Sequence, residues 1–464
     1  MSATVYGLFT LAATFLPSTA LAQEGARVLT LEQAVQTALQ DHPALAREAA
    51  IEQAADARLD LARTGYLPQL DVALQANRAT ANVVRGATFP TRGLPGISGP
   101  IGPTVMDSGA FGTLASLSAS WDVLGLLARV ASVDAALRDR EFTHAGGDVV
   151  RLQVAFNVAD AFLGTLARAE TVRAARATEE RAAVFESAVR ALTEHDLRPG
   201  ADLSRSQAEK ALASTQLIRA QQAQIIAEIE LAHAIGEPGR VTPLAGNLLQ
   251  LPPEGALRTE KRNPALIQAD AAVEAANARE KVAKYGYLPR VEVVAALWAR
   301  GSGYATPSGP TPSAEGLVPN VPNWGVGLVV SWPVLDIFAQ RARTRIASAD
   351  TGEAGARRHE IELQITSQLE TAQAILEGAR RIATNTPIAL VAARAAEQQA
   401  TARYQAGLAS VTEVAEAQRL LAQAELDDAL ARLGVRTATL LFARALGDIE
   451  PFFADLKDSA QEPK

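Results

Sequence analysis

Gly65-Tyr66-Leu67-Pro68 and Gly286-Tyr287-Leu288-Pro289 spell the same four residues, GYLP, twice in one chain. Each copy closes an alanine-rich, charged stretch and opens a short run of alternating apolar and polar residues. Upstream, His42-Pro43-Ala44-Leu45 matches Asn263-Pro264-Ala265-Leu266 at the same offset of 221 residues. Downstream the offset falls to 211, pairing Trp121 with Trp332, Gln207 with Gln418, and Ala234-Ile235-Gly236 with Ala445-Leu446-Gly447. The first copy therefore carries ten extra residues between GYLP and its tryptophan. So long a period predicts a duplicated domain, not a short-repeat solenoid.

The two expected repeats are 23–245 and 246–455, with 237–257 as the linker between copies and a polar tail over 456–464. Each begins with a helix, 31–64 and 257–285, that GYLP should end, glycine acting as the stop and proline lying just beyond. Period-two alternation follows. Leu70, Val72, Leu74 and Ala76 oppose Asp71, Gln75 and Asn77, and Val291, Val293, Ala295 and Leu297 oppose Glu292 and Arg300. A loop rich in glycine and proline leads to a second alternating run in each repeat, giving β-hairpins over 69–122 and 290–333. Long helices should follow over 125–195 and 337–404, on the order of 100 Å at 1.5 Å per residue. Return helices are expected over 201–236 and 411–446. Pro387 predicts a kink or break in the second long helix, and His144-Ala145-Gly146-Gly147 a bend in the first.

Composition agrees with long helices: alanine is abundant, aromatics make up 5% and charged residues 20% of the 464 residues. The net charge of −7 argues against a nucleic-acid partner, and the absence of cysteine excludes disulfides and thiolate chemistry. Residues 1–22 read as a signal peptide, with an apolar core from Val5 to Leu16 and Ala20-Leu21-Ala22 as the cleavage site, although no positive charge precedes Arg27. No later stretch has the roughly 20 uncharged apolar residues of a membrane helix. No catalytic or cofactor site is expected: His42, His144, His195, His233 and His359 are scattered, and none has metal-ligand spacing.

Each of the four strands is long enough to cross a bilayer at a tilt. Trp121, Trp324 and Trp332 stand near strand ends, where an interfacial aromatic belt would place them. Four strands cannot close a barrel, and an open edge in lipid leaves unpaired amides that cost several kcal/mol each. Three chains would supply twelve strands. The competing reading is a soluble hairpin pair packed on a helical bundle, as in a periplasmic coiled-coil adaptor or scaffold.

The repeated Pro-Ala-Leu and GYLP segments, the two hairpins, and 404–425 (YQAGLASVTEVAEAQRLLAQAE) with its Ala445-Leu446-Gly447 stop together resemble the TolC-like outer membrane efflux protein family. The resemblance covers nearly the whole chain beyond the signal peptide. It implies an α+β membrane protein. A homotrimeric twelve-stranded β-barrel, four strands per chain, would be continuous with a helical tunnel across the periplasm. It also implies a gated, passive exit duct of a tripartite efflux or type I secretion system, which meets a periplasmic adaptor protein and an inner-membrane pump.

By that resemblance Glu413 and Glu416 form an acidic ring at the pore entrance; alone, two carboxylates at a helix start read as partners of the helix dipole. Asp202 and Tyr404 match positions that tie the helical hairpins together and hold the entrance closed, whereas residue chemistry alone suggests a helix cap and a packing ring. Ala409 stands where some relatives carry an arginine that adds a second tie. The tips that would contact the adaptor are Gly407-Leu408-Ala409-Ser410 and Asp196-Leu197-Arg198-Pro199, the second departing from the family's glycine-led turn.

Overall fold

The computed structural model describes residues 27–80, 109–195, 200–251, 259, 261–302, 317–319 and 321–461. The expected signal peptide, most of both glycine- and proline-rich loops and most of the 237–257 linker's second half lie outside those residues. In chain order the first elements are β1 (Arg27–Leu29), α1 (Leu31–Asp41), α2 (Pro43–Thr64), β2 (Gln69–Thr80), β3 (Gly109–Asp122), α3 (Leu126–Glu194), α4 (Gly200–Ile235) and β4 (Val241–Pro243). Then come α5 (Pro264–Tyr285), β5 (Arg290–Ser302), β6 (Val321–Ser331), α6 (Ile337–Gln405), α7 (Val411–Leu446) and α8 (Glu450–Gln461). The chain divides into two compact units, one of 1–46, 150–262 and 366–464, the other of 47–149 and 263–365.

The first unit is built on an apolar core. Leu31, Ala34, Val35 and Ala38 recur at helical spacing on α1 and are buried. They meet Val154, Val158, Phe162 and Leu166 of α3, Leu231 and Ile235 of α4, Leu440 of α7 and Phe452 of α8. A short parallel ladder, Arg27 to Leu29 against Val241 to Pro243, closes one side. Thr30 starts α1 with a capping box: its hydroxyl accepts from Gln33 N at 3.3 Å, and the Gln33 side chain accepts from Thr30 N at 3.0 Å. α4 stops at Gly236, whose φ is 93°. Gly236 N–H donates to His233 O, and Glu237 N–H to Ala232 O. A Cβ there would also lie 3.0 Å from Pro43 Cδ, so glycine is required twice over, by conformation and by space. Gly447 ends α7 with the same bond pattern.

The second unit carries an antiparallel sheet in the order β2-β3-β5-β6. Its register sorts the residues onto two faces. Val72 pairs with Leu117, Leu117 with Leu297, and Leu297 with Trp324, so these side chains share one face with Leu70, Leu74, Val326, Leu328 and Val330. That face is apolar and open: Leu74 is 82% exposed and Val326 70%. On the other face Asp71 pairs with Ser118, Ser118 with Ala296, and Ala296 with Gly325. Among the described residues the sheet is open, because β2 and β6 each have one pairing neighbour. Ion pairs join the helices of this unit: Arg358 to Asp270 at 2.9 Å, Arg279 to Asp139 at 2.5 Å, and Arg140 to Asp56.

Gly286 ends α5 as expected, at φ −64°, and a Cβ there would run into the Gln340 side-chain amide. α3 runs unbroken through His144-Ala145-Gly146-Gly147. Those glycines serve close approach, since side chains there would strike Gln268 of α5 and Glu52 of α2. α6 is continuous through Pro387, held by the buried Ala383 and Ala393 on either side and by Thr386 Oγ1 donating to Asp428 Oδ1 at 3.1 Å. The stretch from 456 to 461, expected as tail, continues α8, which Phe452 anchors in the core. α3 is also, over one stretch, long and apolar enough to cross a bilayer by length and composition, but half of that stretch is buried inside the protein.

Candidate functional site

The α6–α7 turn follows from three residues. Gly407, at φ 78°, reverses the chain, with Gly407 N–H donating to Tyr404 O at 3.0 Å and Leu408 N–H to Arg403 O at 2.8 Å. Ser410 then caps α7: its Oγ accepts from Glu413 N at 3.3 Å, and Glu413 Oε1 accepts from Ser410 N at 3.3 Å. Leu408 points outward and Ala409 inward. Asp196, Leu197, Arg198 and Pro199 lie outside the described residues.

Tyr404 is 2% exposed and sits among helices rather than on a surface. Its ring centroid lies 5.3 Å from that of Phe185, tilted by 59°. Val189 of α3 and Val411 and Val414 of α7 pack in the same knot, and Leu203 of α4 rests against it. Asp202, the neighbour of Leu203, lies half-buried in the first turn of α4. Four helix ends therefore converge on one apolar cluster beside the turn.

Glu413 and Glu416 are both exposed on α7. Each has a basic neighbour that sequence reasoning did not weigh. Arg403 Nη1 stands 3.8 Å from Glu413 Oε2, and Arg419 Nη2 stands 2.5 Å from Glu416 Oε1. The hydrogen bond from Arg419, then its charge, holds the Glu416 carboxyl below its usual range. The quartet is formally neutral, and Glu413 has the looser partner of the two carboxylates. Farther along the helices, Arg181 Nη2 of α3 meets Glu425 Oε2 of α7 at 3.0 Å, and Arg394 of α6 approaches the other oxygen at 3.9 Å. This three-helix tie was also missed, because its members lie far apart in sequence and match no motif.

On the sheet, Trp121 Nε1 donates to Tyr66 O at 3.2 Å, joining the first GYLP turn to β3. Trp332 follows the last residue of β6 at the same end of the sheet, and Trp324 lies on the apolar face opposite Leu297. Tyr66 and Tyr287 sit partly exposed at the turn end, adding to the aromatic set. Trp298 faces the other way and lies over Gly325, where a Cβ would be 3.4 Å from its ring. The described residues contain no group of three or more His, Cys, Asp or Glu side chains able to hold a metal ion.

The sheet, with its largely exposed apolar face, leads into long helices. The outer membrane efflux protein family matches residues 34–237 and 258–448, and the chain belongs to that family. It is an outer-membrane efflux channel, and the soluble-scaffold reading is set aside. The chain is 26% identical over 423 residues to the pyoverdine export outer membrane protein OpmQ of Pseudomonas putida, covering 90% of this chain and 85% of that one. Its fold is similar to the CmeC outer membrane channel of Campylobacter jejuni (TM-score 0.72, 14% identity, 93% and 89% of the two chains). It also resembles the open state of the MtrE outer membrane channel of Neisseria gonorrhoeae (TM-score 0.69, 17% identity, 90% and 89% of the chains).

Proposed function

We propose that three copies of this chain, each an internal duplication of one helix–hairpin–helix unit, assemble into a twelve-stranded barrel continuous with a helical periplasmic tunnel. The observation that carries this reading is the sheet itself. Its apolar face is exposed, and β2 and β6 each pair on one side only. Lipid would cover that face, and a neighbouring copy would complete each edge, sparing amides the cost of going unpaired in hydrocarbon. The polar face, with Asp71, Ser118 and Glu292, then lines the lumen. The duct is passive, and an inner-membrane pump, through a periplasmic adaptor, supplies the energy.

The Gly407-Leu408-Ala409-Ser410 turn, with Leu408 outward, is the adaptor contact, together with the tip at Asp196-Leu197-Arg198-Pro199. Asp202 and Tyr404 form the tie that holds the entrance closed, and the Arg181–Glu425–Arg394 bridge supplements it where Ala409 gives no second bond. Glu413 and Glu416 form the entrance ring, with a cation preference moderated by Arg403 and Arg419. Detergent-purified protein should have the mass of a trimer by light scattering and give discrete conductance steps in planar bilayers. A water-soluble monomer with no bilayer activity would overturn this assignment.

A further inference from the structure

The two GYLP turns line the same cavity, of about 840 Å³, between the helices and the sheet. Its origin is geometric. Neighbouring strands lie roughly 4.8 Å apart, whereas packed helices need roughly 8–10 Å. β2, β3 and β5 are adjacent, and each runs directly into or out of a helix, α2, α3 and α5. Three helices cannot continue three touching strands in one plane, so they spread and leave a space beneath the turns. Gly65, Gly125 and Gly286 lie at its edge.

Five strand residues line it, Gln69, Ser120, Asp122, Arg290 and Glu292, and the register places all five on the polar face. Leu67, Leu124 and Leu288 supply apolar wall. The formal charges of Asp122, Arg129, Arg290 and Glu292 balance. Asp122 Oδ1 already accepts from Gly125 N–H at 2.9 Å. Arg129, whose stem passes Gly65, has its Nη1 enclosed without an acceptor among the described residues. Arg129 Nη1 is thus an enclosed donor that an acceptor would satisfy, and the volume is that of a ligand pocket rather than a water site.

We propose that this cavity binds a small organic anion, its carboxylate, sulfonate or phosphate group accepting from Arg129 and its apolar body resting on Leu67, Leu124 and Leu288. Because the cavity lies on the polar face, the site opens toward the lumen, a placement that rests on the channel reading above. The trimer would hold three such sites at the level where tunnel meets barrel.

The test is calorimetric titration of the detergent-purified full-length protein with naphthalene-1-sulfonate, beside neutral naphthalenemethanol and cationic naphthylmethylammonium. Saturable binding of the sulfonate is expected, weakened at least tenfold in Arg129→Gln and again in Leu124→Trp, which fills the cavity without removing the charge. Equal affinity in the wild type and both variants, or preference for the neutral or cationic probe, overturns the site. The same probe added to planar bilayers separates the two readings. Block of the wild-type current that Arg129→Gln relieves places the site in the conducting path. Calorimetric binding without any conductance would sink the duct while leaving the cavity, and conductance without selective binding would do the reverse.

Discussion

Exchanging neighbours on β6 tests the account most directly. Val326 and Gly327 are adjacent, and the register sends them to opposite faces: Val326 pairs with Ala295 in the apolar row, Gly327 with Val294 in the polar one. An arginine at a lipid-facing position near the bilayer midplane costs about 2–4 kcal/mol. In the proposed trimer, with one copy per chain, Val326→Arg would cost about 6–12 kcal/mol, enough to abolish most assembly. At Gly327 no heavy atom lies within 4 Å of where a Cβ would stand, so Gly327→Arg has room to extend toward water. The expected result is near wild-type recovery of Gly327→Arg from outer-membrane fractions and near loss of Val326→Arg. Thermal dissociation of purified trimers, followed by native electrophoresis, should rank the two in the same order. Equal behaviour of the two variants, or a tolerated Val326→Arg, would refute the assignment of faces.

Four further outcomes are expected elsewhere in the chain. Glu413→Ala should lower the cation preference of single-channel currents more than Glu416→Ala, because Arg419 already neutralises Glu416; Arg419→Gln should raise that preference. As the bonded Glu416 has its pKa depressed, its charge persists as pH falls below the ordinary carboxylate range and is lost only through the lower folded value, so Arg419→Gln should move that loss to higher pH. Ser410→Ala removes the α7 cap and should destabilise the turn by about 1 kcal/mol, seen as faster amide exchange over 407–414 with the sheet unchanged. Gly236→Ala, strained by a φ of 93° and by contact with Pro43, should lower thermal stability more than Gly239→Ala, whose Cβ would meet open space, while both share a backbone cost of roughly 1–2 kcal/mol.

The strands and long helices were legible because their periodicity is local: Leu70, Val72 and Leu74 report a face without reference to any other part of the chain. The tripeptide ends Ala234-Ile235-Gly236 and Ala445-Leu446-Gly447 likewise mark helix stops, since only glycine accepts the reversal cheaply. Contacts between distant segments were not legible. Nothing near Glu425 announces Arg181 as its partner, and nothing near Glu413 says that Arg403 folds back toward it. Pro387 does not break α6, which is packed by the buried Ala383 and Ala393 on either side of it. Trp298 was passed over because its neighbour Leu297 claimed the apolar face, and only the register shows what lies beneath its ring.

The core that joins early and late segments of the chain sets a timetable. Leu29 and Leu31, near the beginning, share one cluster with Phe452, near the end. A chain delivered in sequence must hold its first segment unsatisfied until almost the last residues arrive, and such distant closure is slow. Removing residues 450–464, Phe452 among them, would therefore leave the α6–α7 turn and the sheet unchanged in sequence yet strand the chain before it matures, and the waiting interval is when a chaperone has most to protect.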